Sequence, residues 1–351
     1  MSITRRDITL SGIALATTTV TMFQTPFSFA GTSNLAKNVT RAARSLLATL
    51  SSKNRAKAVL RFEHPDREDW HYTPRSRPGA TLSEMSASER AALWDFLGET
   101  LSARGIAQAR GAIKLERVLG ELTNNLSFRD PDNYAIVFFG DPATADIFAW
   151  RFEGHHLSVT AMVAKGHGIA VTPSFVGANP ATVPDHHPHA GFRLLGAEED
   201  RAFALIRSLE GEAHSQAIIS NRSLGDIVAG PGREDALKDF EGVPLTRLND
   251  GQRDGIYHIL GLYAGTMRDE IATSAITRIR ADGTAGLYFA WAGSLEPGQP
   301  HYFRIHGPSV LVEYDNTQGG GNHVHSSWID PKELFGRDLL KAHHRQAHSA
   351  Q

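Results

Sequence analysis

Apolar residues recur at helical spacing through the first third of the chain. Over residues 35–60 they fall at Leu35, Ala42, Leu46, Leu47, Leu50 and Val59, a stripe that predicts helix. Ser86-Ala87-Ser88-Glu89 has the form of a capping box ahead of Ala91, Leu93, Leu97 and Leu101. Gly105 punctuates that segment, and a further helix is expected over 106–123. The stretch 62–79, rich in proline, arginine and aromatic residues, reads as a long ordered loop or short strands. At Asn133 the pattern changes. Short apolar or alternating runs at 134–139, 147–152, 157–163 and 169–175 predict an antiparallel meander. Residues 177–191 form a polar loop with three prolines, 198–209 returns to helix, and 250–279 supplies one or two more. A second strand group is expected at 287–291, 302–306, 310–314 and 324–328, and a short helix over 331–344 closes the chain.

Helices, grouped strands, helices and strands again argue for an α+β fold rather than a parallel α/β sheet. The expectation is N-terminal helices packed on a mainly antiparallel sheet built from the two strand groups, in a single domain over 31–351. Whether those groups form one sheet or two stacked halves stays open. No internal repeat and no linker is legible.

Composition narrows the chemistry. Of 351 residues, 41% are apolar and 21% charged, with a formal net charge of -2. That is an ordinary globular balance, with no electrostatic reason to expect nucleic acid or an anionic membrane as partner. Seventeen histidines stand against no cysteine. Disulfides, thiolate metal sites and a cysteine nucleophile are thereby excluded, so a bound metal would be a divalent transition ion (zinc, copper or iron) held by imidazole and oxygen. A P-loop, a dinucleotide fingerprint, a Gly-x-Ser-x-Gly elbow and a His-Glu-x-x-His pair are all absent from the sequence.

Residues 1–30 read as an address. Thr4-Arg5-Arg6-Asp7-Ile8-Thr9-Leu10 supplies paired arginines, a diluted apolar run follows over 8–23, and Ser28-Phe29-Ala30 offers small residues for a signal peptidase. A twin-arginine signal peptide is expected, and with it a periplasmic or secreted protein. The run falls short of the ~20 residues a bilayer core needs, so no stable membrane anchor is expected.

Three segments carry candidate chemistry. In Gly319-Gly320-Gly321-Asn322-His323-Val324-His325, strand alternation would project His323 and His325 from one side, about 7 Å apart, where they could share a metal ion. The glycines would allow a sharp turn or close approach to a ligand. In Trp150-Arg151-Phe152-Glu153-Gly154-His155-His156, strand parity puts Arg151, Glu153 and His155 on one face, unless a turn at Gly154 makes His156 equally eligible. A charged face inside an apolar stretch needs pairing or a bound partner. In the third segment Arg304 and His306 share a face, as do Glu313 and Asp315; Glu313 could complete a site or act as a general base, and Asn316 reads as a turn residue. Among the other histidines, those of Asp185-His186-His187-Pro188-His189 lie in a loop unsuited to catalysis, and His258 is expected against a core. His343 is the better candidate of the C-terminal group, and His64 and His71 could line a cleft beside Trp70 and Tyr72.

Phe152-Glu153-Gly154-His155-His156-Leu157-Ser158, Pro173-Ser174-Phe175-Val176-Gly177-Ala178-Asn179-Pro180, Phe289-Ala290-Trp291-Ala292-Gly293, Val312-Glu313-Tyr314-Asp315-Asn316 and Asn322-His323-Val324-His325-Ser326-Ser327-Trp328 together resemble an exported bacterial and fungal family, domain of unknown function 3500. The resemblance spans roughly residues 43–344 and implies one family-wide domain. It brings no activity, cofactor or catalytic residue with it.

Two main function classes stand. One is an extracytoplasmic metal-dependent enzyme, hydrolase or oxidoreductase. Its ligands would come from His155, His156, His323 and His325, with Glu153 or Glu313 as acid–base group and Arg151 or Arg304 holding an anionic small-molecule substrate. The other is a non-catalytic periplasmic protein that holds a metal or small ligand with the same residues. A purely structural envelope protein would leave the histidines without a role. The shared-site expectation requires segments 153–156 and 322–325 to lie side by side.

Overall fold

The computed structural model describes residues 32–349, with side chains to 345; the expected signal peptide lies outside the described residues. The stripe over 35–60 breaks into two helices, α1 (Ser33–Thr49) and α2 (Ser52–Ala58), because Ser51 caps a new start by accepting from the Asn54 N–H. Val59 leaves the helix for β1 (Val59–Leu60). A long loop leads to β2 (Ala80–Thr81), then α3 (Ala87–Leu97), which starts at the expected capping box, and α4 (Ala103–Leu122). The first strand group is β3 (Ala135–Phe139), β4 (Ile147–Gly154), β5 (Leu157–Ala164), β6 (Gly168–Ala170) and β7 (Ser174–Ala178). The single strand expected over 169–175 is thus two, parted at Thr172-Pro173.

The second half begins with α5 (Gly196–Ser208), α6 (Gly211–Ala217) and β8 (Ile218–Ser220). Another long loop leads to β9 (Val243–Pro244), α7 (Asp250–Ala264) and α8 (Asp269–Ala281). Then come β10 (Tyr288–Gly293), β11 (His301–Gly307), β12 (Val310–Thr317) and β13 (His323–Ile329). A 3-10 turn and the helix Arg337–Ser349 follow. His258 is exposed on α7, whose buried stripe is Ile256, Ile259, Leu260 and Tyr263; the helical turn points it away from the core it was expected to meet.

All 13 strands among the described residues belong to one sheet, so the two strand groups are one layer rather than stacked halves. The main order is β1-β3-β4-β5-β7-β13-β12-β11-β10-β8. Pairing is antiparallel except for β1 with β3 and β8 with β10. This order reads the same from both ends when the halves are exchanged. Each half runs two helices, a short strand, a long loop, a second short strand, two helices and a meander. β2 and β9 pair antiparallel with β3 and β10 in matching fashion. Gly79 and Gly242 lead into these strands at φ +114° and +102°, each with a Cβ position blocked by the carbonyl of the adjacent strand. Ser86–Glu89 and Asn249–Gln252 form equivalent capping boxes. The halves also exchange reciprocal bonds, Ser102 N–H to Thr266 C=O (3.0 Å) and Arg268 N–H to Thr100 C=O (2.9 Å). The fold is an internal duplication that the sequence pattern did not disclose.

One face of the sheet carries the helices: Phe96 packs edge-on to Trp150, and Phe203 to Trp291. The opposite face is covered by the two long loops and the C-terminal segment. Trp70 and Tyr72 from the first loop meet Ile227 and Ala229 from the second over Phe175, Leu311 and Ile329. The loops are also tied together, Trp70 Nε1 donating to Glu234 (2.7 Å) and the Tyr72 hydroxyl to Asp226 (3.1 Å).

Candidate functional site

Beneath those loops lies the charged layer flagged in the strands. Glu153 accepts from the His71 backbone N–H (2.8 Å), Arg77 Nε (2.9 Å) and the Ser158 hydroxyl (3.0 Å), with Arg151 Nε at 3.1 Å. Glu313 accepts from the N–H groups of Val228 (2.7 Å) and Ala229 (2.8 Å) and from the Tyr302 hydroxyl (2.7 Å). Burial raises the Glu313 carboxyl above the usual range, against these hydrogen bonds. Each glutamate fastens one cover loop to the sheet. Arg304 is bonded to Glu241 of the second loop, and Asp315 accepts from the backbone and hydroxyl of Thr317. Glu153 and Glu313 are therefore loop anchors in this structure, Arg304 is tied to the second loop through Glu241, and Arg151 is paired with Glu153, where the sequence had suggested acid–base and substrate contacts. Desolvation forces such groups into mutual pairing.

The histidines converge elsewhere, at the end of the central strands. β4 and β5 turn over His155-His156, so strand parity stops at Gly154, as the alternative reading allowed. His156 takes φ +59°, a conformation unusual outside glycine and asparagine. Two backbone bonds hold it there: its N–H donates to Tyr72 C=O (3.0 Å), and its C=O accepts from Gly177 N–H (2.8 Å). The ring lies over Gly177, where a Cβ would sit 2.8 Å from His156 Cδ2. β13 runs antiparallel to β7, with His325 opposite Gly177, which brings His323 and His325 to the same place. The three glycines before them all have positive φ (61°, 67° and 89°) and fold the connection back into β13. Asn316 accepts from the His323 N–H (2.9 Å), aligning the strand start.

His156 Nε2 lies 2.9 Å from His323 Nε2 and 3.3 Å from His325 Nε2. One ligand nitrogen from each of the three residues falls within 4.8 Å of the others, a largely buried triad that could hold a metal ion. A tetrahedral ion bound at 2.0–2.1 Å sets its nitrogen ligands about 3.3 Å apart, so the spacing fits. Segments 153–156 and 322–325 lie side by side. Asp226 Oδ1 sits 2.7 Å from His325 Nδ1. A carboxylate only accepts, so His325 carries its proton on Nδ1 and turns the Nε2 lone pair inward. His323 Nδ1 faces the Asn179 amide at 3.3 Å, and an ion requires that amide to present its oxygen.

Burial, followed by the neighbouring His155, His325 and His323, holds the His156 imidazole well below its ordinary pKa. Burial, then His325 and His155, pushes His323 down to about 3. Burial raises the Asp226 carboxyl, but the bond and charge of His325 outweigh it and leave a net lowering. His156 and His323 are thus held in the uncharged form, which a cation needs in its imidazole ligands.

His155 stands apart from the triad. Its ring stacks on His156 at 3.7 Å, its Nδ1 is bonded to the buried Glu116, and Arg129 NH1 lies 3.2 Å from Nδ1 and 3.3 Å from Nε2. Asp226, Asn179, Glu116 and Arg129 were missed by the sequence reading. Of these only Asn179 stood in a segment singled out in the sequence, Pro173 to Pro180. His187 meets Glu121 of α4 (3.0 Å), and His343 meets His167 and His344, edge-on at 5.2 and 6.0 Å.

No curated protein and no solved structure matches the chain. A family model does, over residues 32–337, which include every residue of the triad and its supports. The chain belongs to the family described as protein of unknown function (DUF3500).

Proposed function

We propose that this protein is an extracytoplasmic metal-dependent enzyme whose ion is held by His156, His323 and His325. The observation that carries the reading is the convergence of one ligand nitrogen from each of His156, His323 and His325 to within 4.8 Å of one another. Three neutral protein ligands and an open fourth position are the pattern of catalytic rather than structural sites. A bound cation supplies Lewis acidity and a lowered pKa for coordinated water. With no carboxylate among the three nitrogens, its charge stays uncompensated, which favours hydrolysis over oxidation. The chain's own contribution is to orient the nitrogens. Asp226 fixes His325, Asn179 fixes His323, and the Tyr72 and Gly177 backbone fixes His156. His323 is half-buried and the Asp226 side chain 33% exposed, so the site is reachable from solvent.

Elemental analysis of untagged protein tests the reading. About one zinc, copper or iron per chain is expected, falling to near zero in His325→Ala and His156→Ala; the measured element decides between a hydrolytic and a redox ion. Metal-free protein that also fails to take up any of the three would end it. Stoichiometric metal without turnover over a panel of esters, amides and phosphoesters would favour the non-catalytic ligand-binding alternative. Export by the twin-arginine route is part of the proposal, and Arg5→Lys with Arg6→Lys should retain the protein in the cytoplasm.

A further inference from the structure

Arg151 is paired with Glu153 and Arg304 with Glu241, and each side chain is only 1% exposed, which leaves the recognition of an anion from solvent to another group. Arg129 lies on the loop between α4 and β3, its side chain 21% exposed. Gly120 of α4 lets that loop press down: a Cβ there would meet Leu126 Cδ2 at 2.7 Å and Arg129 Cβ at 3.0 Å. The guanidinium is thereby brought to the ring of His155, which itself stacks on His156. Its nearest carboxylate, Glu116, is 3.9 Å away and is already bonded to His155. Among the described residues its side-chain hydrogen bonds go only to the ring of His155, with the Glu116 carboxylate beyond hydrogen-bond distance, which leaves a permanent cation without a charged hydrogen-bond partner. The same loop exposes Leu126 (48%) and Phe128 (55%), and Phe128 lies under the guanidinium, whose Cζ is 4.9 Å from the ring centroid.

We infer that Arg129 binds the anionic group of the substrate, and that the substrate is a small organic anion with an apolar body that rests on Phe128 and Leu126. This rests on the metal-site reading for its reacting centre, but the anion contact needs no ion to be measured. A charge-assisted bond to a carboxylate or phosphonate replaces the imidazole contact, and the fork geometry of the guanidinium suits both.

Calorimetric titration of the purified full chain with phenylacetate, benzylphosphonate and neutral phenylacetamide tests it, with and without added zinc. At least one anion should bind about tenfold or more tighter than the amide. Comparison of the first two probes distinguishes carboxylate from phosphonate recognition. The preference should vanish in Arg129→Met and survive in part in Arg129→Lys, while metal stoichiometry stays at the wild-type value in both variants. An equal affinity for all three probes, or an anion preference that persists in Arg129→Met, overturns the inference. Failure of the protein to bind metal would sink the metal-site reading alone, because the anion preference is read without zinc as well.

Discussion

Glu153 offers the sharpest contrast between two roles, because a strand carboxylate beside two histidines looks catalytic and the structure makes it an anchor. Glu153→Gln keeps the volume and removes the charge. Arg77 and Arg151 are then left with 2% and 1% side-chain exposure and no carboxylate of their own at Glu153. Burial already lowers the pKa of both guanidiniums, a sign that each depends on its counter-charge. Breaking such a buried pair costs ~3–5 kcal/mol, a large part of the ~5–15 kcal/mol that holds a domain together. The Gln amide would also put a donor where the His71 N–H or the Ser158 hydroxyl donates. Urea denaturation in chelator should show the loss, and the melting temperature should fall by about 5–15 °C. Arg77→Met added to Glu153→Gln should recover part of it, since one uncompensated cation is removed. Metal stoichiometry should survive in the folded fraction. A variant as stable as wild type but devoid of metal or turnover would refute the anchor assignment.

Three further outcomes follow from the geometry. Gly177→Ala forces the His156 ring or the Val324 carbonyl (2.9 Å from the added Cβ) to shift, so stability should fall by ~1–3 kcal/mol and zinc affinity by more than His156-independent ligands would lose; unchanged zinc titration would contradict the packing argument. Asp226→Asn removes the charge that orients His325 and should weaken zinc binding by roughly 10–100-fold with little change in the chelated protein's stability, as read by competition with a chromogenic chelator. Glu333 is pushed up to about 8 by burial, with Asp330 and Asp338 adding to it and Arg278 opposing. Its folded pKa exceeds the unfolded value, so its contribution is complete below about 4.5 and is lost as pH rises through about 8. Glu333→Gln should therefore gain stability relative to wild type between about pH 5 and pH 9, and parallel pH curves for the two proteins would refute the shift.

The pattern of apolar positions located the longer helices and the meander strands but not the short β1, β2, β8 and β9 or the helix α6, and alternation alone placed His323 and His325 on one side of β13. Its limits have physical causes. The choice between His155 and His156 turned on a backbone reversal after Gly154, and a residue other than glycine at φ +59° leaves no trace in composition. Glu153 and Glu313 stood out correctly as charges inside apolar strands, yet nothing local says whether a buried carboxylate meets substrate or the N–H groups of a distant loop. Asp226 lies 99 residues from His325, a contact set by the second cover loop rather than by spacing. The duplication escaped notice because what persists between the halves is backbone requirement, as at Gly79 and Gly242, with the side chains around it replaced.

That duplication gives the site a mechanical meaning. His156 belongs to one repeat, whereas His323, His325 and Asp226 belong to the other, and the two repeats meet along β7 and β13. A cation gripped there rivets one repeat to its twin across the joint. Whatever tightened such a rivet would also close the joint, and strain applied to the joint from either flank would be felt as weaker grip on the ion.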